Sequence, residues 1–344
     1  MRFAIITILA IATAVNAQSG RIRPDATPQP RRPSSAPPPV SSPTPPAPST
    51  AGTDEIRIES TLIPIPATVT DSSGRPVTNL RLEDFELRID GKPAMISEIR
   101  RSEAPIRLAL LLDNSSSVKN ALEFEKTAAV RFLRRVIRPE VDRAALYSIS
   151  TVSRLEVPFT TEIGLLTRAI SQLPEPAGAT ALFDGIIAAA KHLTEETGRR
   201  VIVLISDGDD TASDRGLEEA IRVVQISNAQ VFIVKTTNYE YFRLTRSRTV
   251  NANVRQLAAE RRMEELARET GGAIFSPIDD DELENAFRNL AARLSEQYVL
   301  SYYPDNETAN AGQFRAISLS VRGRPDLTVN TRKGYYVPGK SESK

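Results

Sequence analysis

The residues with the most to offer chemically are two aspartates and three hydroxyls in three separate segments. Asp113-Asn114-Ser115-Ser116-Ser117 closes an apolar run, Gly178-Ala179-Thr180 precedes a helical stretch, and Ser206-Asp207-Gly208 closes a second apolar run. Alone, the first segment reads as an ordinary helix start, since Asp and Ser are preferred caps. The three together suggest more. Asp113, Ser115, Ser117, Thr180 and Asp207 all present oxygen, without sulfur or imidazole nitrogen, and such a set selects a hard divalent cation: magnesium, with manganese or calcium as alternatives.

For these five to meet, the intervening chain must bring three loops to one edge. Leu108 to Leu112, Ala144 to Ile149, Val201 to Ile205 and Val231 to Val234 are near-continuous apolar runs, the pattern of strands buried on both faces. Between them lie helical stretches with apolar stripes: Ala121 to Ile137, Ala181 to Leu193, Leu217 to Val224, Met263 to Thr270 and Glu282 to Leu294. Alternating strands and helices predict an α/β fold, a doubly wound and mostly parallel sheet with helices on both faces. In such sheets the loops at the carboxyl ends of the strands converge where ligands bind, and all three segments belong to that edge.

Asp-x-Ser-x-Ser, a distant Thr and a distant Asp-Gly, in that order and in those contexts, resemble the von Willebrand factor type A (VWFA) family. The resemblance extends to the acidobacterial VWFA-related domain proteins through Val69-Thr70-Asp71 with Asp84-Phe85, Thr180-Ala181-Leu182-Phe183-Asp184, Gln297-Tyr298-Val299-Leu300 with Tyr302-Tyr303-Pro304, and Arg332-Lys333-Gly334-Tyr335-Tyr336. It implies a Rossmann-like VWA fold with a metal-ion-dependent adhesion site. There Ser115, Ser117 and Thr180 would bind the metal directly, and Asp113 and Asp207 often through water. The implied function is capture of a protein ligand by an exposed carboxylate, with no catalysis. A structural envelope scaffold with a stabilising metal is the alternative. A metal-dependent hydrolase is a weaker one, because the three segments hold no His, Cys or extra Glu to act as base.

The rest of the chain sets the context. Residues 1–17 have the form of a signal peptide, with Arg2, an apolar core and small residues ending at Ala17, so an exported, periplasmic or extracellular bacterial protein is expected. Residues 18–53, rich in Pro, read as an extended linker. Residues 54–104 form a β segment, 105–296 the VWA domain, 297–338 a second β segment and 339–344 a tail. Because the termini of a compact domain tend to lie close together, the two β segments are expected to pair as one β-sandwich around the inserted α/β domain, with independent flaps as the alternative. The chain has no cysteine, and 44 basic residues balance 43 acidic ones. That excludes disulfide stapling and thiolate sites, and nominates neither nucleic acid nor, after signal cleavage, membrane insertion.

Some residues attract plainer readings. His192, the only histidine, sits late in a helix away from the strand ends. Asp209, Asp210 and Asp214 read as solvated loop acids, Asp184 as a packing or capping partner, and Asn306-Glu307-Thr308 as a surface turn. From Asn238 to Arg262 the chain carries Arg243, Arg246, Arg248, Arg255, Arg261 and Arg262. This stretch is either a solvated helical extension or a positive rim beside the cation.

Overall fold

The computed structural model describes residues 62–102, 104–119, 121–248, 253–304 and 312–337. The expected signal, linker, Ile56–Ile58 strand, Asn306 turn and tail lie outside them. The first strands are β1 (Ile63–Thr70), β2 (Phe85–Ile89), β3 (Lys92–Ala94) and β4 (Glu98–Arg101). The α/β part follows: β5 (Ile106–Asp113), α1 (Leu122–Val136), β6 (Arg143–Ile149), β7 (Arg154–Thr160), α2 (Ile163–Ser171), α3 (Leu182–Leu193), β8 (Arg199–Ser206), α4 (Leu217–Ile226), β9 (Gln230–Lys235), α5 (Thr237–Thr245), α6 (Val254–Thr270), β10 (Ala273–Phe275) and α7 (Asp280–Ser295). The chain then returns to strands β11 (Tyr298–Tyr302), β12 (Phe314–Val321), β13 (Thr328–Thr331) and β14 (Gly334–Tyr336).

The central sheet has the order β10-β9-β8-β5-β6-β7, parallel throughout except for β7, which pairs antiparallel with β6 at one edge. Alternate residues of each strand feed two cores. Leu108, Leu110 and Leu112 face α1, α2 and α7, while Ala109 and Leu111 face α3, α4 and α6. That two-sided burial is why β5 and β8 read as unbroken apolar runs. The edge strands β7 and β10 and helices α2 and α5 have no such runs and escaped sequence reading.

The flanking segments pair with each other. β1 lies between β11 and β13, β11 pairs β4, and β2 pairs β12, giving two four-stranded sheets. Ile65, Leu87, Leu300 and Leu319 from both sheets share one hydrophobic cluster, so the flanks form one sandwich and the α/β part is inserted between β4 and β11. Each flank supplies only two strands to each sheet, too few to be stable alone, which is why residues so far apart in sequence meet. The sandwich and the α/β part belong to one compact unit. Among the described residues no helix is long and apolar enough to cross a membrane.

Gly271 and Gly272, which end α6, are tightly enclosed. Gly271 has φ 75°, and a Cβ on Gly272 would lie 1.8 Å from the Val231 carbonyl oxygen. Gly272→Ala should therefore push β10 off β9 and destabilise the protein by about 2 kcal/mol or more, read as a lower urea midpoint with an unchanged slope.

Candidate metal centre

Asp113 is the last residue of β5 and Ser206 the last of β8, neighbouring strands of the parallel sheet. Their side chains meet: Ser206 Oγ donates to Asp113 Oδ2 at 2.6 Å, and the Ser115 N–H donates to Asp113 Oδ1 at 3.0 Å. Ser115 Oγ and Ser117 Oγ lie 2.9 Å apart, and Ser117 is near enough to Asp207 to oppose the rise of its pKa. Three of the five residues thus form one hydrogen-bonded group beside Asp207, with Asp113 and Ser115 buried and Ser117 open to solvent.

Thr180 arrives through the backbone. The Ser116 N–H donates to the Gly178 carbonyl at 3.1 Å, and the Ala177 N–H to the Asn114 carbonyl at 3.1 Å, which ties the second loop to the first. The Thr180 N–H donates to Thr211 Oγ1 at 2.9 Å, and the Thr211 N–H donates back to the Thr180 carbonyl at 2.9 Å, which ties it to the third. Its hydroxyl makes no hydrogen bond to the other four among the described residues.

The electrostatics are strained. Burial, and then the neighbouring Asp207, raise the Asp113 carboxyl to a pKa of about 6, although Ser206 and Ser115 bond it. Asp207 is likewise raised, first by burial, against the opposing bonds from the Asp209 N–H and Ser117. A third carboxyl, Glu125 of α1, is fully buried and raised well above its usual range by burial and by the charge of Asp113. Thr236 Oγ1 donates to its Oε1 at 2.8 Å, while Oε2 has no partner. Asp113 has only a backbone N–H and a hydroxyl as partners, and no cation. Two dehydrated carboxylates bordered by hydroxyls suit a hard divalent cation, which would relieve their repulsion. Among the described residues no three His, Cys, Asp or Glu side chains cluster as a metal set by themselves, so the fit depends on the hydroxyls.

Sequence reading passed over three contributors. Ser206 was legible only as the residue before Asp207. Glu125 had a clearer signal, an acid lying on the apolar face of α1 between Leu122 and Ala129. Asp210 accepts from the Leu182 N–H at 2.8 Å and so holds the start of α3 beside Thr180. It is a helix anchor, not a solvated acid. Asp184 accepts from the Asp214 N–H at 2.9 Å and is a packing partner as expected. His192 Nδ1 lies 2.7 Å from Tyr147 Oη, and the ring packs on Phe159.

The arginine-rich stretch is mostly helical, and several of its charges are spent internally. Arg255 Nη2 lies 2.6 Å from Asp209 Oδ2, and Arg248 Nη1 lies 2.6 Å from Asp279 Oδ2. Arg243 and Arg246 lie over the rings of Tyr239 and Phe242. Arg262 also pairs with Asp209, so three of the six arginines are ion-paired within the fold, while Arg243 and Arg246 keep their charge over the rings. Arg255 is close enough to Asp207 to lower its pKa, which makes it the arginine that touches the site electrostatically.

An open parallel sheet whose strand ends gather aspartates and hydroxyls at one rim defines a class of ligand-binding α/β domain. The von Willebrand factor type A domain model matches residues 108–289, and the chain belongs to that family. No curated protein matches it. Among solved structures it is similar to BatB from Bacteroides thetaiotaomicron, at 15% identity and a TM-score of 0.43 over 55% of this chain and 98% of that one. It is also similar to the PilB minor pilin from Streptococcus sanguinis, at 13% identity and a TM-score of 0.44 over 57% of this chain and 63% of that one. The vWF domain of the type V pili tip protein Mfa5 from Porphyromonas gingivalis matches at 25% identity and a TM-score of 0.30 over 31% of this chain and 39% of that one.

A carboxyl raised to a pKa of about 6 contributes stability in its neutral form, present below about pH 4 and lost as pH rises through 6. In metal-depleted protein, the stability of wild type relative to Asp113→Asn should fall by about 3 kcal/mol between pH 4 and pH 7.5. Urea unfolding at several pH values measures it, and a pH-independent difference would contradict the burial argument.

Proposed function

We propose that this chain is an exported binding protein whose VWA domain holds a divalent metal, magnesium first, through Asp113, Ser115, Ser117, Thr180 and Asp207. The metal serves to capture the exposed carboxylate of a protein ligand. The observation that carries this reading is the pair of desolvated, repelling carboxylates, Asp113 and Asp207, bordered by Ser115 and Ser117 at the carboxyl edge of the sheet. When bound there, the cation supplies Lewis acidity toward an anionic oxygen. The chain's own residues do the positioning. Ser206 and the Ser115 N–H hold the Asp113 carboxylate in one orientation. The bonds between Thr180 and Thr211 hold the second loop at the height of the third.

Family membership supports binding over catalysis, and so does the engagement of His192 with Tyr147 in the last turn of α3, remote from the strand ends. The resemblance of Arg332-Lys333-Gly334-Tyr335-Tyr336 and the other quoted segments to acidobacterial VWFA-related proteins supports export by a bacterium. A scaffold with a purely stabilising metal is separated from this reading by whether ligand capture disappears on chelation.

Magnesium or manganese titrated into metal-depleted protein should give saturable calorimetric binding, and at a hundredfold excess over Kd should stabilise the fold by about 2.7 kcal/mol. Asp113→Ala should abolish both effects. Wild-type protein that binds neither ion would overturn the proposal.

A further inference from the structure

The metal rim lies at the carboxyl ends of the strands. At the opposite end, where β8 begins with Arg199 and β9 with Gln230, the α/β part meets the sandwich, and the charge there has the other sign. A cavity of about 460 Å³ lies elsewhere, between α6 and β13. The one of interest, about 450 Å³, is walled by α4 and by β14 and its approaches. Arg222, Ile226, Asn228, Arg332, Tyr335 and Tyr336 line it, and no carboxylate does among the described residues.

Arg332 is only 4% exposed. Its Nη1 donates to Asn228 Oδ1, its Nη2 donates to the Pro64 carbonyl at 2.8 Å, and its Nε has no partner. Every acceptor it has is neutral, and its guanidinium stacks 5.6 Å above the Tyr335 ring. Burial lowers its pKa to about 10, which leaves it charged at neutral pH. Arg222, exposed on α4, lies 5.6 Å over the Tyr336 ring and forms no salt bridge among the described residues. Arg199, buried beside the adjoining cavity that shares Pro64 and Asn228, also has only neutral acceptors, the Leu294 carbonyl and Gln230 Oε1.

A dehydrated cation is costly without a counter-charge, and folded proteins as a rule pair one. Here two arginines and two tyrosine faces surround a space of the size that holds small organic ligands, and the described residues supply no anion. The guanidinium fork matches a carboxylate, and the apolar wall of Ile226 and the tyrosine rings matches a hydrocarbon body. We infer that this cavity binds an organic carboxylate with an aromatic or aliphatic body, either a small acid or the free chain end of a peptide. It uses none of the metal-site residues and does not rest on the metal reading.

The test is calorimetry on the full chain in metal-free buffer, with 3-phenylpropionate, its neutral amide, inorganic phosphate, and Ala-Ala-Phe with a free or amidated carboxyl end. Saturable binding of 3-phenylpropionate or of the free-ended tripeptide is expected, at least tenfold tighter than its amide and than phosphate. The tighter of the two identifies the source. Arg222→Gln, at an exposed position that should not disturb folding, should weaken it at least tenfold with an unchanged melting temperature. No saturable binding of either carboxylate, equal binding of acid and amide, phosphate binding as tightly, or an indifferent Arg222→Gln protein would each overturn the inference.

Discussion

Carboxylates stripped of water repel one another, and the arrangement of the rim follows from that conflict at Asp113 and Asp207. Both sit where parallel strands end, one partly and one wholly removed from solvent, with Glu125 buried on α1 behind them. They are shielded from solvent on the side of the sheet, which is covered on both faces by helices. The two-sided packing that stabilises β5 and β8 is therefore also what makes the site electrostatically unsatisfied. Hydroxyls from Ser115, Ser117 and Ser206 soften the repulsion without neutralising it, and that leaves a place whose chemistry calls for a cation.

Loop anchoring turns that local conflict into a defined site. The second loop is bonded to the first through Ser116 and Gly178, and to the third through Thr180 and Thr211. Asp210 caps α3, which fixes the helix that starts beside Thr180. Acids that look solvated in isolation are thus structural. The same holds for arginines of the stretch that spans α5, its connection and the start of α6: Arg248 serves Asp279 before α7, and Arg255 serves Asp209. Part of the charge on this rim is thus balanced within the fold, while Asp113 and Asp207 form no salt bridge among the described residues.

The insertion of the α/β part into the sandwich divides the molecule into two chemically opposite ends. Strand carboxyl ends gather acids and hydroxyls, and the amino ends, held against β14 and its approaches, gather Arg199, Arg222 and Arg332. Arg332 joins the two parts directly, binding Asn228 after α4 and the Pro64 carbonyl of β1. Lys333 adds a backbone bond to Glu269 of α6 at 3.1 Å. The α/β part is thereby clamped to the sandwich as well as tethered to it.

By itself the sequence determined the class of fold and nominated five oxygen-bearing residues for one edge of it. Runs such as Leu108 to Leu112, alternating with amphipathic helical stretches, read as strands buried on both sides, and in a parallel sheet their following loops share an edge. Periodicity says little about short or edge elements, so β7, β10, α2 and α5 stayed hidden, and the arginine stretch kept two readings until its partners were visible. Which charged groups find partners is decided by side chains distant in sequence: Ser206 for Asp113, Thr236 for Glu125, Asp279 for Arg248. The tertiary structure alone settled those pairings, as it settled the union of β1 with β11 and of β2 with β12, because burial and hydrogen bonding depend on distances that a linear order of residues does not contain.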